Sequence, residues 1–229
     1  MVWTGFSHKP INANSISSRQ FGTLKPKDVY QKLLLDSFRR NEITLAGGKP
    51  GSGKTLLSLG YLFEQMEKDK IERIVVFCNP VVAKNAAKLG FYPGTVEEKL
   101  LSSQVGAILT SKIGSVTEVE RMIQDERLIL MPAGDSRGYE VPAHSGVYIM
   151  EAQNLDVVLL RMILQRIGEN CITIVDGDRF EQTDLEIYSG DNNGMSKMSK
   201  VFRNHNFFGQ VDLKTIYRSK IAGLAEFMK

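Results

Sequence analysis

One short segment, residues 48–55, constrains the fold more than any other part of the sequence. It reads GKPGSGKT and matches the pattern G-x-x-x-x-G-K-[ST]. An apolar run at residues 42–46 precedes it, and a helical pattern at residues 54–68 follows it. Glycines let backbone N–H groups converge on an anion, and the helix N-terminus adds partial positive charge. The segment therefore predicts a phosphate-binding loop between a strand and a helix; a chance glycine-rich turn is the alternative.

The residue types in this loop predict how it would hold a nucleotide. Lys54 can reach the β- and γ-phosphates, and the Thr55 hydroxyl can bind Mg²⁺. The other loop residues would shape the backbone around the phosphates. The predicted binding residues are Gly48, Pro50, Gly51, Ser52, Gly53, Lys54 and Thr55.

Apolar, strand-like runs alternate with helical patterns along the rest of the chain. The predicted strands are residues 42–46, 73–78, 128–131, 147–150, 171–175 and 210–216. The predicted helices are residues 27–40, 54–68, 95–112, 116–126, 155–167, 195–203 and 218–228. This alternation predicts an α/β fold in which helices cover both faces of a mainly parallel sheet.

The composition fits one domain of 229 residues, with 42% hydrophobic residues for its core. Residues 1–24 are polar and lack periodicity, so we expect an N-terminal arm there and a single P-loop NTPase domain at residues 25–229. The chain has no apolar run of about 18 residues and no secretory start, so we expect a cytoplasmic protein without a membrane partner. A net charge of +3 is too small to identify a nucleic-acid partner.

Two acidic segments follow later strands and are candidates for catalytic groups. Residues 151–154 read EAQN and come directly after an apolar run. Hydrolytic P-loop enzymes usually place Asp before this Glu to order Mg²⁺, but Met150 stands there. Residues 176–178 read DGD and close the next predicted strand, at the edge of the sheet where ligands bind. A polar turn is the alternative for this second segment.

Together these segments resemble the PhoH-like ATPases, the phosphate-starvation-inducible family related to superfamily 1 helicase cores. The resemblance covers residues 27–228, and its segments occur in the family's order: the loop 48–55, KLGFYPG at 88–94, Glu98-Lys99, Arg137-Gly138, EAQN at 151–154, Gly177-Asp178 with Gln182 and Asp184, and Arg218. It implies a three-layer, RecA-like P-loop NTPase that hydrolyses ATP with Mg²⁺. It also implies a hexameric ring acting on RNA or single-stranded nucleic acid. Short members are common in bacteriophages, so we expect a phage origin.

The resemblance also implies roles for individual residues. Gln31 would read the adenine, and Glu151 would be the catalytic base. Gln153 would contact the γ-phosphate or the attacking water, and Asp178, with Gln182 on the same rim, would sense the γ-phosphate. Thr55 and Glu151 would hold Mg²⁺, mostly through water.

Two arginines are candidates for stabilising charge in the transition state. Arg137 lies in a predicted loop and Arg218 opens the last predicted helix. Each would act on the site of its own chain or on that of a neighbouring subunit. An ordinary surface arginine is the alternative at both positions.

Two positions depart from the family pattern. A thioether cannot order the water around a hard cation, so Met150 predicts slow hydrolysis with intact nucleotide binding. Asp176, where the family more often has an uncharged residue, is a candidate for compensation. Asn79 stands where the family usually has arginine, which weakens a basic contact to phosphate or nucleic acid at this position. A nucleotide-gated ring or scaffold with little turnover is therefore an alternative function. A small-molecule kinase is another alternative, although no dense arginine cluster supports it.

Overall fold

The computed structural model describes residues 24–78, 104–178, 192–218 and 221. The following predictions lie outside the described residues: the N-terminal arm up to residue 23, Asn79, the segments at 88–94 and 98–99, Gln182, Asp184, and all of the final helix except Arg218 and Ile221.

The described residues form helices and strands in the predicted alternation. The helices are α1 (Val29–Arg40), α2 (Lys54–Glu67), α3 (Gln104–Ile113), α4 (Val116–Gln124), α5 (Val157–Leu164) and α6 (Gly194–Phe202). The strands are β1 (Ile43–Gly48), β2 (Arg73–Cys78), β3 (Leu128–Pro132), β4 (Ser145–Ile149), β5 (Ile172–Gly177) and β6 (Phe208–Leu213). Two 3₁₀ turns, Ala133–Ser136 and Ala152–Asn154, follow β3 and β4.

Some predicted boundaries were wrong, and local capping explains one of them. Helix α5 begins after the predicted residue 155, because the Asp156 side chain caps it by accepting from the Leu159 N–H, and it ends at Leu164, before the predicted residue 167. Strand β6 starts before the predicted residue 210 and ends at Leu213. Strand β4 ends at Ile149, which leaves Met150 in the turn that follows.

The six strands form one sheet in the order β3-β2-β4-β5-β1-β6, and every adjacent pair is parallel. This confirms the predicted mainly parallel α/β fold. Strand β1 lies between β5 and β6, with Ala46 opposite both Asp176 and Val211. The carboxyl ends of β1, β5 and β4 are therefore neighbours, which brings the glycine-rich loop and both acidic segments to one edge of the sheet.

Alternation along the strands divides the buried side chains between two faces. Ile74, Val76 and Tyr148 contribute to the core beneath α1 to α4, whereas Val75 and Phe77 contribute to the core beneath α5 and α6. The sheet thus has helices on both sides, as predicted for a three-layer arrangement. Among the helices of the described segments, none is both long and apolar enough to cross a bilayer.

Candidate nucleotide-binding site

The glycine-rich loop has the backbone conformation that its sequence predicts. Gly48, Gly51 and Gly53 have φ angles of 146°, 84° and 97°, which residues with side chains rarely adopt. Gly53 is the N-cap of α2 and provides no side-chain cap. The N–H groups of the first turn of α2 consequently keep their donor capacity at the loop, as an anion-binding helix terminus requires.

Two donors on this loop suit phosphate oxygens. The Lys54 ammonium is buried against the loop, where Nζ donates to the carbonyl oxygens of Gly48 at 2.5 Å and Lys49 at 3.2 Å. Ser52 is 1% exposed, and within the described residues its Oγ has no hydrogen-bond partner. A buried hydroxyl without a partner is costly, and a bound phosphate would remove that cost. The loop therefore fits a polyphosphate.

A cavity of about 360 Å³ adjoins the loop and is large enough for a nucleoside base. Its lining includes apolar side chains, an aromatic ring and loop backbone: Leu24, Leu56, Leu57, Tyr217, Gly51 and Gly53. Gln31 also lines it. The Gln31 Nε2 donates to the Ser52 carbonyl at 2.9 Å, and its Oε1 accepts from the Lys27 N–H at 2.9 Å. Each amide atom keeps capacity for one further bond, so an adenine-reading role for Gln31 remains geometrically available and stays a prediction.

The segment after β6 folds back onto the loop. The Tyr217 N–H donates to the Gly51 carbonyl at 2.9 Å, and the Tyr217 hydroxyl donates to Asp28 Oδ2 at 2.7 Å. The Lys27 Nζ lies 4.8 Å from the centre of the Tyr217 ring. A Cβ atom on Gly51 would come within 2.6 Å of the Arg218 Nε. Arg218 therefore lies against the loop of its own chain, and Tyr217 forms a wall of the cavity.

The first acidic segment is held by a network of amide hydrogen bonds. The Gln153 Nε2 donates to Glu151 Oε2 at 2.6 Å, and the Gln153 Oε1 accepts from the Asp178 N–H at 3.1 Å. The Asn193 side chain fixes the Gln153 carbonyl at 3.0 Å. A Cβ on Gly177 would come within 2.5 Å of the Gln153 Oε1, so a larger residue there would displace the Gln153 amide. Gln153 thus braces Glu151 and Asp178; its predicted contact with a γ-phosphate or water stays a prediction.

The second acidic segment places Asp176 between the loop and Glu151. Asp176 is 1% exposed and accepts from the Tyr148 hydroxyl at 2.5 Å and from the Glu151 N–H at 2.9 Å. Burial, and next the negative charge of Glu151, raise the pKa of Asp176 to about 6, although Lys54 opposes the shift. Burial, and next the negative charge of Asp176, raise the pKa of the Tyr148 phenol well above its ordinary value.

The Met150 side chain lies in an apolar core, and Arg137 lies far from the loop. Met150 is 5% exposed and packs in the apolar core beneath α1 to α4. Arg137 is exposed and follows β3, and three strands separate β3 from β1. At a spacing of about 4.8 Å per strand, β3 and β1 are roughly 19 Å apart. Of the two candidate arginines, the structure brings only Arg218 to the loop of the same chain.

The loop, its lysine and the acid-bearing ends of neighbouring parallel strands define the class of P-loop nucleotide-binding proteins. Within this class, the chain belongs to the PhoH family, because the family described as PhoH-like protein matches residues 23–227. The family resemblance seen in the sequence is thereby confirmed.

Curated relatives agree with this assignment. Protein PhoH2 of Bacillus subtilis is 31% identical over 214 residues, which cover 88% of this chain and 47% of the relative. Protein PhoH of Escherichia coli K12 is 27% identical over 198 residues, which cover 85% of this chain and 54% of the relative. The chain therefore spans about half the length of these relatives.

A solved structure, the SWI2/SNF2 ATPase core of Sulfolobus solfataricus in complex with dsDNA, aligns over 82% of this chain and 46% of that chain. The sequence identity is 17% and the TM-score is 0.44. At this level of similarity, nothing about substrate or partner follows for this protein.

Proposed function

We propose that the protein binds ATP with Mg²⁺ at the glycine-rich loop and hydrolyses the ATP slowly. The observation that carries the proposal is the hydrogen bond from the Glu151 backbone N–H to Asp176, because it ties the residue whose carboxylate is suited to be a base to the strand beside the loop. The base would enter the cavity beside Tyr217, and the phosphates would lie along Gly48, Ser52 and Lys54.

Lys54, Glu151 and Arg218 have separate roles in the proposed reaction. On phosphate binding, the Lys54 ammonium exchanges the carbonyl oxygens for phosphate oxygens. The Glu151 carboxylate takes the proton of the water that attacks the γ-phosphorus, while the bond to the ADP oxygen breaks. Arg218, beside Gly51, stabilises charge on the phosphates from within the same chain.

The Thr55 hydroxyl fits a direct contact with Mg²⁺, and Glu151 fits a contact through water. Thr55 is partly exposed at the first turn of α2, so its oxygen is accessible from the loop. The ion, when bound, neutralises phosphate charge. Met150 supplies no oxygen to it, and this is our reason for proposing a slow reaction.

The proposal is tested by measuring ATP binding and phosphate release for the same set of variants. Lys54→Ala is expected to abolish binding, whereas Glu151→Gln is expected to retain binding and lose about a hundredfold in rate. Glu120→Gln, an exposed substitution on α4, serves as the matched control. If wild type and Glu151→Gln release phosphate equally fast, the assignment of Glu151 is wrong. If wild type binds ATP without turnover, a nucleotide-gated ring or scaffold is the better description.

An oligomer is a further part of the proposal, and the family resemblance favours a hexameric ring. Arg137 is exposed and distant from its own loop, which supports action on a neighbouring subunit. Mixing Lys54→Ala with Arg137→Ala chains tests this directly. The first chain supplies an intact Arg137 and the second an intact loop, so activity should reappear in the mixture. Mixtures no more active than their separate components would exclude action in trans.

RNA or single-stranded nucleic acid is the proposed partner, again from the family resemblance. Phosphate release with and without RNA, measured beside gel filtration with and without ATP, tests the partner and the ring together. A monomer that instead phosphorylates a small metabolite would replace the proposal with a kinase. A cytoplasmic location and a phage origin also remain proposals.

A further inference from the structure

Two consecutive carbonyl groups of the glycine-rich loop accept hydrogen bonds from other parts of the chain. The Gln31 side chain, on α1, donates from Nε2 to the Ser52 carbonyl at 2.9 Å. The Tyr217 backbone N–H, which lies beyond β6, donates to the Gly51 carbonyl at 2.9 Å. Two separate parts of the fold therefore hold neighbouring peptide groups of the loop.

The direction of each carbonyl determines the direction of the next N–H, because a trans peptide is planar and places the two groups on opposite sides. The described residues contain no cis peptide bond. With the Gly51 carbonyl held by Tyr217, the Ser52 N–H points to the other side. There it donates to the Lys49 carbonyl at 3.3 Å, and the Lys54 ammonium donates to the same oxygen at 3.2 Å. The side opposite the held carbonyl is therefore the inner side of the loop, where Lys54 lies.

The same reasoning applies to the next peptide group of the loop. Because Gln31 holds the Ser52 carbonyl on the outer side, the Gly53 N–H points to the inner side. This N–H has no hydrogen-bond partner among the described residues. It lies at the start of α2, where the unpaired N–H groups and the helix dipole favour an anion. Gln31 thus directs an available donor toward the position that a phosphate oxygen would occupy.

The Gln31 side chain can hold this carbonyl because it is itself fixed. It is 4% exposed, its Oε1 accepts from the Lys27 N–H at 2.9 Å, and its backbone N–H donates to Asp28 Oδ1 at 2.7 Å. These contacts resemble a capping box at the start of α1. The Lys27 N–H can only donate and the Ser52 carbonyl can only accept, so the two ends of the amide cannot be exchanged. A Cβ on Gly53 would come within 2.9 Å of the Gln31 Nε2, which shows how closely the amide contacts the loop.

We propose that Gln31 is a positioning residue for the phosphate groups of the ligand, acting through the Ser52 carbonyl on the Gly53 N–H. This inference rests on the proposed nucleotide site and deepens it. The role differs from reading the adenine, because it requires no base in the cavity. A ligand that consists of phosphates alone therefore separates the two roles.

Gln31→Met tests the inference, because methionine has a similar length but no donor for the Ser52 carbonyl. Gln31→Leu is a second variant with the same loss. Gln124→Met, at the exposed end of α4, is the matched control for the substitution. Binding of inorganic tripolyphosphate and of ATP is measured by calorimetry in EDTA at one salt concentration. Lys54→Ala is included to locate the tripolyphosphate signal at the loop.

Both Gln31 variants are expected to bind tripolyphosphate about tenfold more weakly than wild type, because the Ser52 carbonyl loses the donor that fixes its direction. Their affinity for ATP is expected to fall by at least the same factor. Gln124→Met is expected to match wild type, and Lys54→Ala is expected to lose tripolyphosphate binding.

Several results would overturn the inference. Unchanged tripolyphosphate affinity with weaker ATP binding would show that Gln31 only reads the base. A role limited to stability would lower the urea midpoint and leave the tripolyphosphate affinity of the folded protein unchanged. Full tripolyphosphate binding by Lys54→Ala would place the signal away from the loop.

A measurement on the wild-type protein decides the question if both Gln31 variants fail to fold. The amide resonance of Gly53 is expected to shift when tripolyphosphate is added, because its N–H would then donate to a phosphate oxygen. A Gly53 resonance that does not move while tripolyphosphate binds would overturn the inference.

The same experiments distinguish a failure of this inference from a failure of the proposed function. A wild type that binds neither ATP nor tripolyphosphate would refute the proposed site itself. A wild type that binds ATP but no tripolyphosphate would overturn this inference alone, because a loop held in its phosphate-binding form should bind phosphates without a base. Binding of both ligands without turnover would refute only the proposed hydrolysis.

Discussion

We expect the Asp176→Asn variant, without metal ions, to gain stability relative to wild type as the pH rises from acid to neutral. The carboxyl group is 1% exposed, and its burial is the largest cause of its raised pKa. The nearby charge of Glu151 raises the pKa further, while Lys54 and the donors Tyr148 and Glu151 N–H lower it. The net value is about 6 against an ordinary 3.8.

The sign and size of the effect follow from these two values. Between about pH 4 and pH 6 the folded chain holds a proton on Asp176 that the unfolded chain has released, so the free energy of unfolding falls as the pH rises. A difference from 3.8 to about 6 corresponds to about 3 kcal/mol at most. Asparagine has no proton to release and therefore lacks this loss.

Urea unfolding in EDTA at a series of pH values from about 4 to 8 measures this difference. We expect the free energy of unfolding of Asp176→Asn, minus that of wild type, to rise by up to about 3 kcal/mol across the range and then level off. Asp125→Asn, at the exposed end of α4, controls for the removal of one negative charge. A difference that stays constant with pH, or that falls as pH rises, would refute the reasoning.

Three further substitutions probe the loop and its surroundings. Gly51→Ala is expected to cost about 1–3 kcal/mol of stability and most of the ATP affinity, because φ is 84° and the new Cβ meets Arg218; urea unfolding and calorimetry measure both. Tyr217→Ala is expected to weaken ATP binding about tenfold through loss of a wall of the cavity, with Tyr217→Phe close to wild type. Met150→Asp is expected to speed phosphate release by about tenfold or more, since it restores an acid at the usual position.

Each of these predictions can fail in a specific way. Wild-type affinity in Gly51→Ala would mean that the loop does not need the conformation described. Equal binding by the alanine and phenylalanine variants at position 217 would mean that the ring does not contact the base. An unchanged rate in Met150→Asp would mean that the missing acid does not limit hydrolysis.

The strands and the loop were predictable because their signals are local. A buried parallel strand is a short run of β-branched and apolar residues, and the loop has a fixed spacing of glycines, lysine and threonine. The order of the strands has no such local signal. That β1 lies between β5 and β6 depends on contacts between segments more than 120 residues apart in sequence.

The same reason explains which site residues the sequence did not reveal. In the sequence Tyr148 looks like an ordinary strand residue, and its hydroxyl matters because it donates to Asp176 on another strand. Tyr217 sits beside the loop only because the chain folds back after β6. Arg137 and Arg218 were equivalent as candidates in the sequence, yet one lies against the loop and the other several strands away.

The position of β1 in the sheet also determines when the site can exist during synthesis. The loop emerges early, at residues 48–55, but both strands that flank β1 come from the last third of the chain. Contacts this distant in sequence form late, because a long stretch of chain must be ordered to close them. A ribosome that has translated the loop has therefore not yet made a nucleotide site. That site is completed only after Arg218, which lies against the loop, has left the exit tunnel, and the growing chain must stay free of aggregation until then.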